Sequence, residues 1–174
     1  VYVATPTVAR EPICLAAAAH GKHVLGDKPF ASAESVRRIA HACQENGVAF
    51  LDATHFVHHP RHRRLLAEID ARVGRARLIH TSFFFPNTDR ANIRLRPDQE
   101  PTGAVGDMAW YCMRAVAEFT PMDARLEAVH AFVRRDAVTG GVIRCAGVLR
   151  LDDGCLSTFE AGYDTGACVQ DLAI

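Results

Sequence analysis

Residues 23–30 read His23-Val24-Leu25-Gly26-Asp27-Lys28-Pro29-Phe30. The first four predict the end of a buried strand. The next three put a carboxylate and an amine where that strand should emerge. Proline cannot donate to a ladder and biases the residue before it away from the α region. Lys28 is therefore expected in an extended or turn conformation at a strand's carboxyl end, the edge where open α/β sheets bind ligands. A solvated loop carrying an ordinary surface lysine explains these residues equally well.

Working outward, residues 1–4 predict a short strand closed by Thr5-Pro6-Thr7. A helix follows, with Pro12 in its first turn, where a missing N–H costs nothing. Ile13, Ala16, Ala17 and His20 keep helical spacing, and Gly21 suits a left-handed stop. Beyond the central stretch, Ser32 predicts an N-cap. Val36, Ile39, Ala40 and Cys43 recur as a buried stripe, Gly47 stops the helix, and residues 48–51 form another apolar strand. Strand, helix, strand, helix, strand over about fifty residues is the signature of parallel βαβ units.

A third helix is expected over residues 60–73, with Leu65, Leu66, Ile69 and Val73 on its apolar face and Gly74 at its end. The pattern then changes. Residues 77–85 alternate as a strand of a sheet buried on one face. Residues 87–102 are rich in proline and charge and predict a long irregular loop, a kind that is often functional. A fourth helix over 105–119 precedes strands at 126–134, 142–151 and 155–163, with Asp152-Asp153-Gly154 as a hairpin turn.

The chain has 174 residues and is 49% hydrophobic and 23% charged, with zero formal net charge. Zero net charge gives no basic field for nucleic acid or an anionic membrane surface, so neither partner is expected. No apolar run approaches the ~20 residues of a membrane-spanning helix. Six cysteines without a C-x-x-C pair argue against a zinc ribbon and for a reducing, cytoplasmic setting. Cys14 and Cys43 fall within helical periodicity, as small hydrophobes. Both ends run through element-like sequence, so an internal piece of a longer protein is expected.

Three constellations could carry chemistry. Lys28 at a strand end can hold a ligand hydroxyl or donate to a developing alkoxide. In Gly103-Ala104-Val105-Gly106-Asp107-Met108-Ala109-Trp110-Tyr111-Cys112, the spacing puts Asp107 and Tyr111 on one helix face, with Arg114 close by. Such groups on an apolar helix are costly unless paired or facing a cleft, and structural ion pairs produce the same pattern. Third, His55-Phe56-Val57-His58-His59-Pro60-Arg61-His62 holds four histidines in eight residues. They invite a metal-dependent hydrolase reading. However, Pro60 interrupts the helix that i, i+4 ligands need, and no metal is expected. No Gly-x-Gly-x-x-Gly, Walker loop or nucleophile elbow is present.

Taken together, these stretches resemble the glucose–fructose oxidoreductase/inositol dehydrogenase family, the Gfo/Idh/MocA oxidoreductases. Val1-Tyr2-Val3-Ala4-Thr5-Pro6 is similar to that family's fourth Rossmann strand and its Thr-Pro turn. Residues 21–29, GKHVLGDKP, resemble its Gly-Lys-His-Val-Leu-x-Glu-Lys-Pro motif, and residues 92–114 resemble the run into its substrate-domain helix. The His58-His59-Pro60-Arg61 run resembles the branch with glucose–fructose oxidoreductase-like and dihydrodiol dehydrogenase-like members.

The resemblance implies an α/β fold. Residues 1–58 would be the C-terminal part of a Rossmann domain, and residues 59–174 an α+β substrate and oligomerisation domain with a mainly antiparallel sheet. It implies NAD or NADP as cofactor, and hydride transfer to or from a secondary alcohol of a sugar, cyclitol or trans-dihydrodiol. Lys28, Tyr111 and Asp107 would be catalytic. Tyr111 would exchange the hydroxyl proton, Lys28 would lower its pKa, and Asp107 would orient Lys28 or the substrate. Thr5, Pro6, Arg10, Asp27, Lys28 and Pro29 would lie along the cofactor, and Arg94 and His59 near the substrate.

A homodimer or homotetramer formed through the open face of the second sheet is implied as well. Asp27 stands where the family usually has Glu, one methylene longer, and Arg10 where many members have His. The Gly-rich fingerprint belongs before Val1. A non-catalytic member that binds a dinucleotide or sugar is the alternative.

Overall fold

A computed structural model describes residues 1–174. Three short apolar runs form β1 (Tyr2–Val3), β2 (Val24–Gly26) and β3 (Phe50–Asp52), a parallel sheet in that order. Tyr2 lies opposite Leu25, and Val24 opposite Phe50. The connections are α1 (Thr7–Ala19) and α2 (Ala33–Glu45). Val3, Cys14, Val24, Phe30, Ile39 and Cys43 form the core between sheet and helices. The Ser32 hydroxyl caps α2, accepting the Ser35 N–H at 3.1 Å. Gly21 and Gly47 follow the two helices at φ +67° and +63°, the left-handed stops that the sequence predicts.

Two helix faces differ from expectation. Helix α1 begins at Thr7, so Pro12 sits in its second turn, on the exposed side. Its buried stripe is Thr7, Arg10, Cys14 and Ala18, while Ile13 and Ala16 face solvent. Thr7 Oγ1 and the two terminal nitrogens of Arg10 find acceptors there, which offsets part of the usual penalty of burial, while Arg10 Nε has no partner. In α2, Ser35 is buried and Ala40 is exposed.

Helix α3 (Pro60–Val73) has the expected limits, with Gly74 at its end. His62 turns inward, Leu66 and Ile69 pack on the second core, and Leu65 and Val73 are exposed.

The second sheet contains β4 (Leu78–Phe84), β5 (Leu126–Arg135), β6 (Val142–Leu151), β7 (Leu156–Gly162) and β8 (Val169–Ala173). Their order is β5-β6-β7-β4-β8, antiparallel except for the parallel pair β4–β7. Strand β8 is an addition to the expected set. Two helices, α4 (Gly103–Asp107) and α5 (Ala109–Glu118), replace the single one expected, with the break at Met108.

Ile79, Met108, Cys112, Val116, Leu149 and Phe159 anchor a core of 16 residues between these helices and the sheet. Each such large apolar side chain contributes about 1.5–3 kcal/mol on full burial. The opposite face leaves Leu78, His80, Val148 and Leu156 in solvent.

Gly106 sets how the two units meet. A Cβ there would lie 2.8 Å from Pro29 Cγ and 2.9 Å from Pro29 Cβ, and would collide with Thr102 Oγ1. Its absence lets α4 rest on the Asp27-Lys28-Pro29 turn, which brings Asp107 to Lys28.

Candidate active site

The carboxyl ends of β1 and β2 open onto a cleft of about 410 Å³. Thr5, Pro6, Asp27, Lys28 and Pro29 line one wall, and Arg94, Glu100, Asp107, Tyr111 and Tyr163 line the other. Lys28 lies two residues past the end of β2, at the strand's carboxyl edge as the sequence predicts, and its peptide bond to Pro29 is cis. Its ammonium donates to the Asp107 backbone oxygen at 2.8 Å and to the Asp107 carboxylate. It also lies 4.7 Å from the centroid of the Tyr111 ring, within cation–π range. The surface-lysine reading is set aside, because the Lys28 side chain is only 10% exposed.

Asp107 is the hub of the site. Besides Lys28, it accepts from Arg94 Nε at 2.7 Å and from the Tyr163 hydroxyl at 2.8 Å. Burial alone would push its carboxyl up. The Lys28 ammonium, the Arg94 guanidinium and the Tyr163 hydroxyl outweigh that and hold it below the usual aspartate range. Burial and the Asp107 charge push the Tyr163 phenol upward, so it serves as a fixed donor.

Tyr111 corrects one expectation. Burial first, then the carboxylates of Asp107 and Asp27, push its phenol up to about 12. The sequence-based expectation was that Lys28 would lower it. The lysine instead bonds the Asp107 carboxylate and meets the face of the Tyr111 ring, away from a hydrogen bond to the phenol oxygen. Tyr111 Oη lies 3.4 Å from Nδ1 of His55, whose ring meets the tyrosine edge-on at 5.4 Å between centroids.

Arg10, which also lines the cleft where a cofactor contact is expected of it, has a structural part as well. Its guanidinium is buried and donates to the backbone oxygens of Pro29 and Thr5, and to Thr7 Oγ1 at 3.3 Å. It ties the turn after β2 to the turn after β1, and so holds the cleft wall. Burial pushes its pKa downward, with the Asp27 and Glu100 carboxylates opposing. Thr5 Oγ1, by contrast, is buried on the cleft wall with no hydrogen-bond partner. Asp27 Oδ1 accepts the Lys28 N–H at 2.9 Å.

Two other expected members lie elsewhere. His59 stays on the surface, where its Nδ1 accepts the Arg61 N–H at 3.1 Å and caps α3. Arg114 points away from Asp107. It donates to Asp52 Oδ1 at 3.0 Å and to Glu118 at 2.6 Å, an ion-pair network that ties β3 to α5. Trp110 Nε1 adds a bond to Thr54 at 2.7 Å in the same seam.

The four histidines disperse: His55 to Tyr111, His62 to Glu118, His59 to a helix cap and His58 to solvent. No three potential metal ligands converge.

Sequence reasoning missed Glu100, Tyr163 and His55. Glu100 accepts the Thr7 N–H at 3.0 Å and its hydroxyl as well, pinning the long loop to the start of α1. That contact spans 93 residues, and no local pattern signals it. Tyr163 ends the last predicted strand, and its bond to Asp107, 56 residues away, has no local signal either.

By architecture, this is a two-unit α/β protein, with a cleft between a parallel sheet's carboxyl edge and the helices of a mixed sheet. Family models agree with each unit. Residues 1–54 match the oxidoreductase family's NAD-binding Rossmann fold, and residues 62–172 match the GFO/IDH/MocA C-terminal domain. The chain belongs to the GFO/IDH/MocA family.

It is 34% identical over 147 residues to dTDP-3,4-didehydro-2,6-dideoxy-alpha-D-glucose 3-reductase of Actinomadura kijaniata, covering 81% of this chain and 43% of that protein. It is 30% identical to D-xylose 1-dehydrogenase (NADP(+)) 2 of Haloferax volcanii, covering 95% of this chain and 50% of the relative. Among solved structures, the 3-ketoreductase KijD10 of Actinomadura kijaniata, in complex with NADP and TDP-benzene, superposes at TM-score 0.85. Its identity is 27%, over 95% of this chain and 50% of that one. The chain thus spans about half the length of the curated relatives it matches.

Proposed function

We propose that the protein is an NAD(P)-dependent oxidoreductase acting on a secondary alcohol or ketone of a sugar, cyclitol or trans-dihydrodiol. The observation that carries this reading is the set of three groups at the strand edge: a buried lysine, bonded to a buried aspartate, beneath the ring of a protonated tyrosine. The unpartnered Thr5 hydroxyl and the Asp27 carboxylate on the cleft wall fit the ribose and amide groups of a nicotinamide nucleotide. That cofactor, when bound, supplies or takes up the hydride.

The chain's own residues handle orientation and the proton. Tyr111, with its phenol held protonated, donates to the substrate oxygen during reduction and receives the hydroxyl proton during oxidation. Lys28 orients that oxygen through its remaining N–H and favours negative charge as it develops there. Asp107 acts through Lys28 and Arg94, fixing both, and so is a positioning residue. Arg94, half-exposed at the mouth, is placed to meet a polar substituent of the substrate.

The test is cofactor-linked turnover by the intact protein over a panel of aldoses, ketoses, cyclitols and trans-dihydrodiols, with NADH and NADPH in parallel. Lys28→Ala should lower kcat/KM by at least about 100-fold, in the range of general acid–base groups. A loss within about threefold would remove Lys28 from the mechanism. Binding of either nucleotide without turnover of any alcohol or ketone would favour a non-catalytic member.

A further inference from the structure

The tyrosine at this site has a proton problem. A phenol is protonated at neutral pH, and burial with the Asp107 and Asp27 carboxylates pushes this one further up. Oxidising an alcohol requires the opposite, an oxygen able to take up the hydroxyl proton. Lys28 cannot relieve the phenol, because its ammonium lies over the ring face and bonds Asp107. Asp107 holds three donors and offers the phenol nothing. Around Tyr111 the charged groups are Lys28 and Asp27 from the turn after β2, Arg94 from the long loop, and Asp107 from α4. None of them hydrogen-bonds the phenol oxygen. His55, in the turn after β3, does: Nδ1 lies 3.4 Å from Oη, and the residue is exposed. Hydrogen bonds of this kind are often long without substrate and tighten in the complex.

We propose that His55 is the proton relay between the Tyr111 phenol and solvent, an assignment that rests on the oxidoreductase reading above. In the oxidation direction the imidazole starts neutral, with its proton on Nε2 and a lone pair on Nδ1. The substrate O–H bond breaks and its proton goes to the Tyr111 oxygen. The Tyr111 O–H bond breaks in concert, and that proton goes to Nδ1. The resulting imidazolium releases one proton to water, which restores the neutral ring. In reduction each transfer reverses, and one proton enters from water. Imidazole is the side chain suited to both directions near neutral pH. His55 acts through Tyr111 and does not need to touch the substrate.

The experiment compares wild type, His55→Phe and His55→Ala in the intact protein. His55→Phe keeps a ring against the Tyr111 edge but has no nitrogen, so it separates relay from packing. The relay requires three results. Alcohol-oxidation kcat/KM falls by about tenfold or more in His55→Phe. Its rise with pH through the imidazole range disappears. Added imidazole restores a large part of the rate to His55→Ala.

A readout independent of turnover is the NMR chemical shift of His55 Nδ1, which should change in Tyr111→Phe as the hydrogen bond is lost. His55→Phe with wild-type rate and pH profile overturns the relay, and so does a His55 Nδ1 chemical shift indifferent to Tyr111→Phe. Either result leaves the oxidoreductase reading standing. A wild-type protein that turns over no alcohol or ketone with either cofactor overturns both.

Discussion

Tyr163→Phe removes one oxygen from a fully buried residue and leaves its ring packing intact. That oxygen donates to Asp107 Oδ2 at 2.8 Å. A hydrogen bond to a charged group contributes about 1.5–3 kcal/mol. The lower part of that range applies, because Oδ2 keeps the Arg94 bond at 2.7 Å. The expected loss is therefore about 1.5–2 kcal/mol.

With a urea m-value near 2 kcal/mol/M, the unfolding midpoint should fall by about 0.8–1 M at pH 7 with no change in slope. The pH dependence follows from Asp107, whose folded-state pKa lies below the ordinary aspartate value of 3.8. A depressed carboxyl contributes stability that is present above its unfolded value and is lost as pH falls through its folded value. The gap between wild type and variant should thus be full at neutral pH and narrow as the pH drops below that value. A midpoint within about 0.2 M of wild type at pH 7, or a gap that widens in acid, would refute the claim that Tyr163 supports the ionised carboxylate.

Other perturbations test the rest of the framework. Arg10→Met should cost about 2–4 kcal/mol, since two backbone carbonyls lose their donor in a buried site, and thermal unfolding would read it. Gly106→Ala should cost about 1–3 kcal/mol by forcing α4 off the Pro29 turn; an unchanged denaturation midpoint would mean that the close approach is not required. Burial raises the Glu118 carboxyl, but Arg114 and His62 outweigh it and hold it low. Glu118→Gln should therefore lose about 1–2 kcal/mol at pH 7, with the difference shrinking as acid protonates the wild-type group, followed by urea titrations across pH. Phe132 is 81% exposed on edge strand β5, and Phe132→Asp should weaken self-association of the intact protein in sedimentation experiments if the bare side of the second sheet pairs two copies.

What the sequence revealed follows the range of the forces involved. Helix caps and stops at Ser32, Gly21 and Gly47 are local events, and they were legible. So were the parallel strands and the alternating ones, because period 2 and short apolar runs flanked by helices leave few alternatives. Lys28 and Asp107 were legible as candidates because each breaks a local pattern. Their direct bond joins residues 79 apart and is fixed by packing at Gly106, which no single window displays.

The helix break at Met108 was hidden for the same reason, since helical spacing continues across it. Arg10 shows the opposite failure. The resemblance put it along the cofactor, and no local pattern shows that acceptors on Thr5, Thr7 and Pro29 would draw its guanidinium into a buried site. Arg114 was grouped with Asp107 by spacing alone, whereas its partners come from β3 and the end of α5.

The bond between Lys28 and Asp107 also bears on how this architecture can be recombined. Each unit carries half of the pair, a cation on one side and its counter-ion, with the phenol beside it, on the other. A chimera joining the first unit to another protein's second unit inherits a lysine that needs an aspartate in register, a glycine in place of Gly106 and an acceptor in place of Glu100. Those positions therefore have to be moved as one block, because a graft that ignores them loses the contacts that seat α4 on the turn after β2 and the long loop on α1.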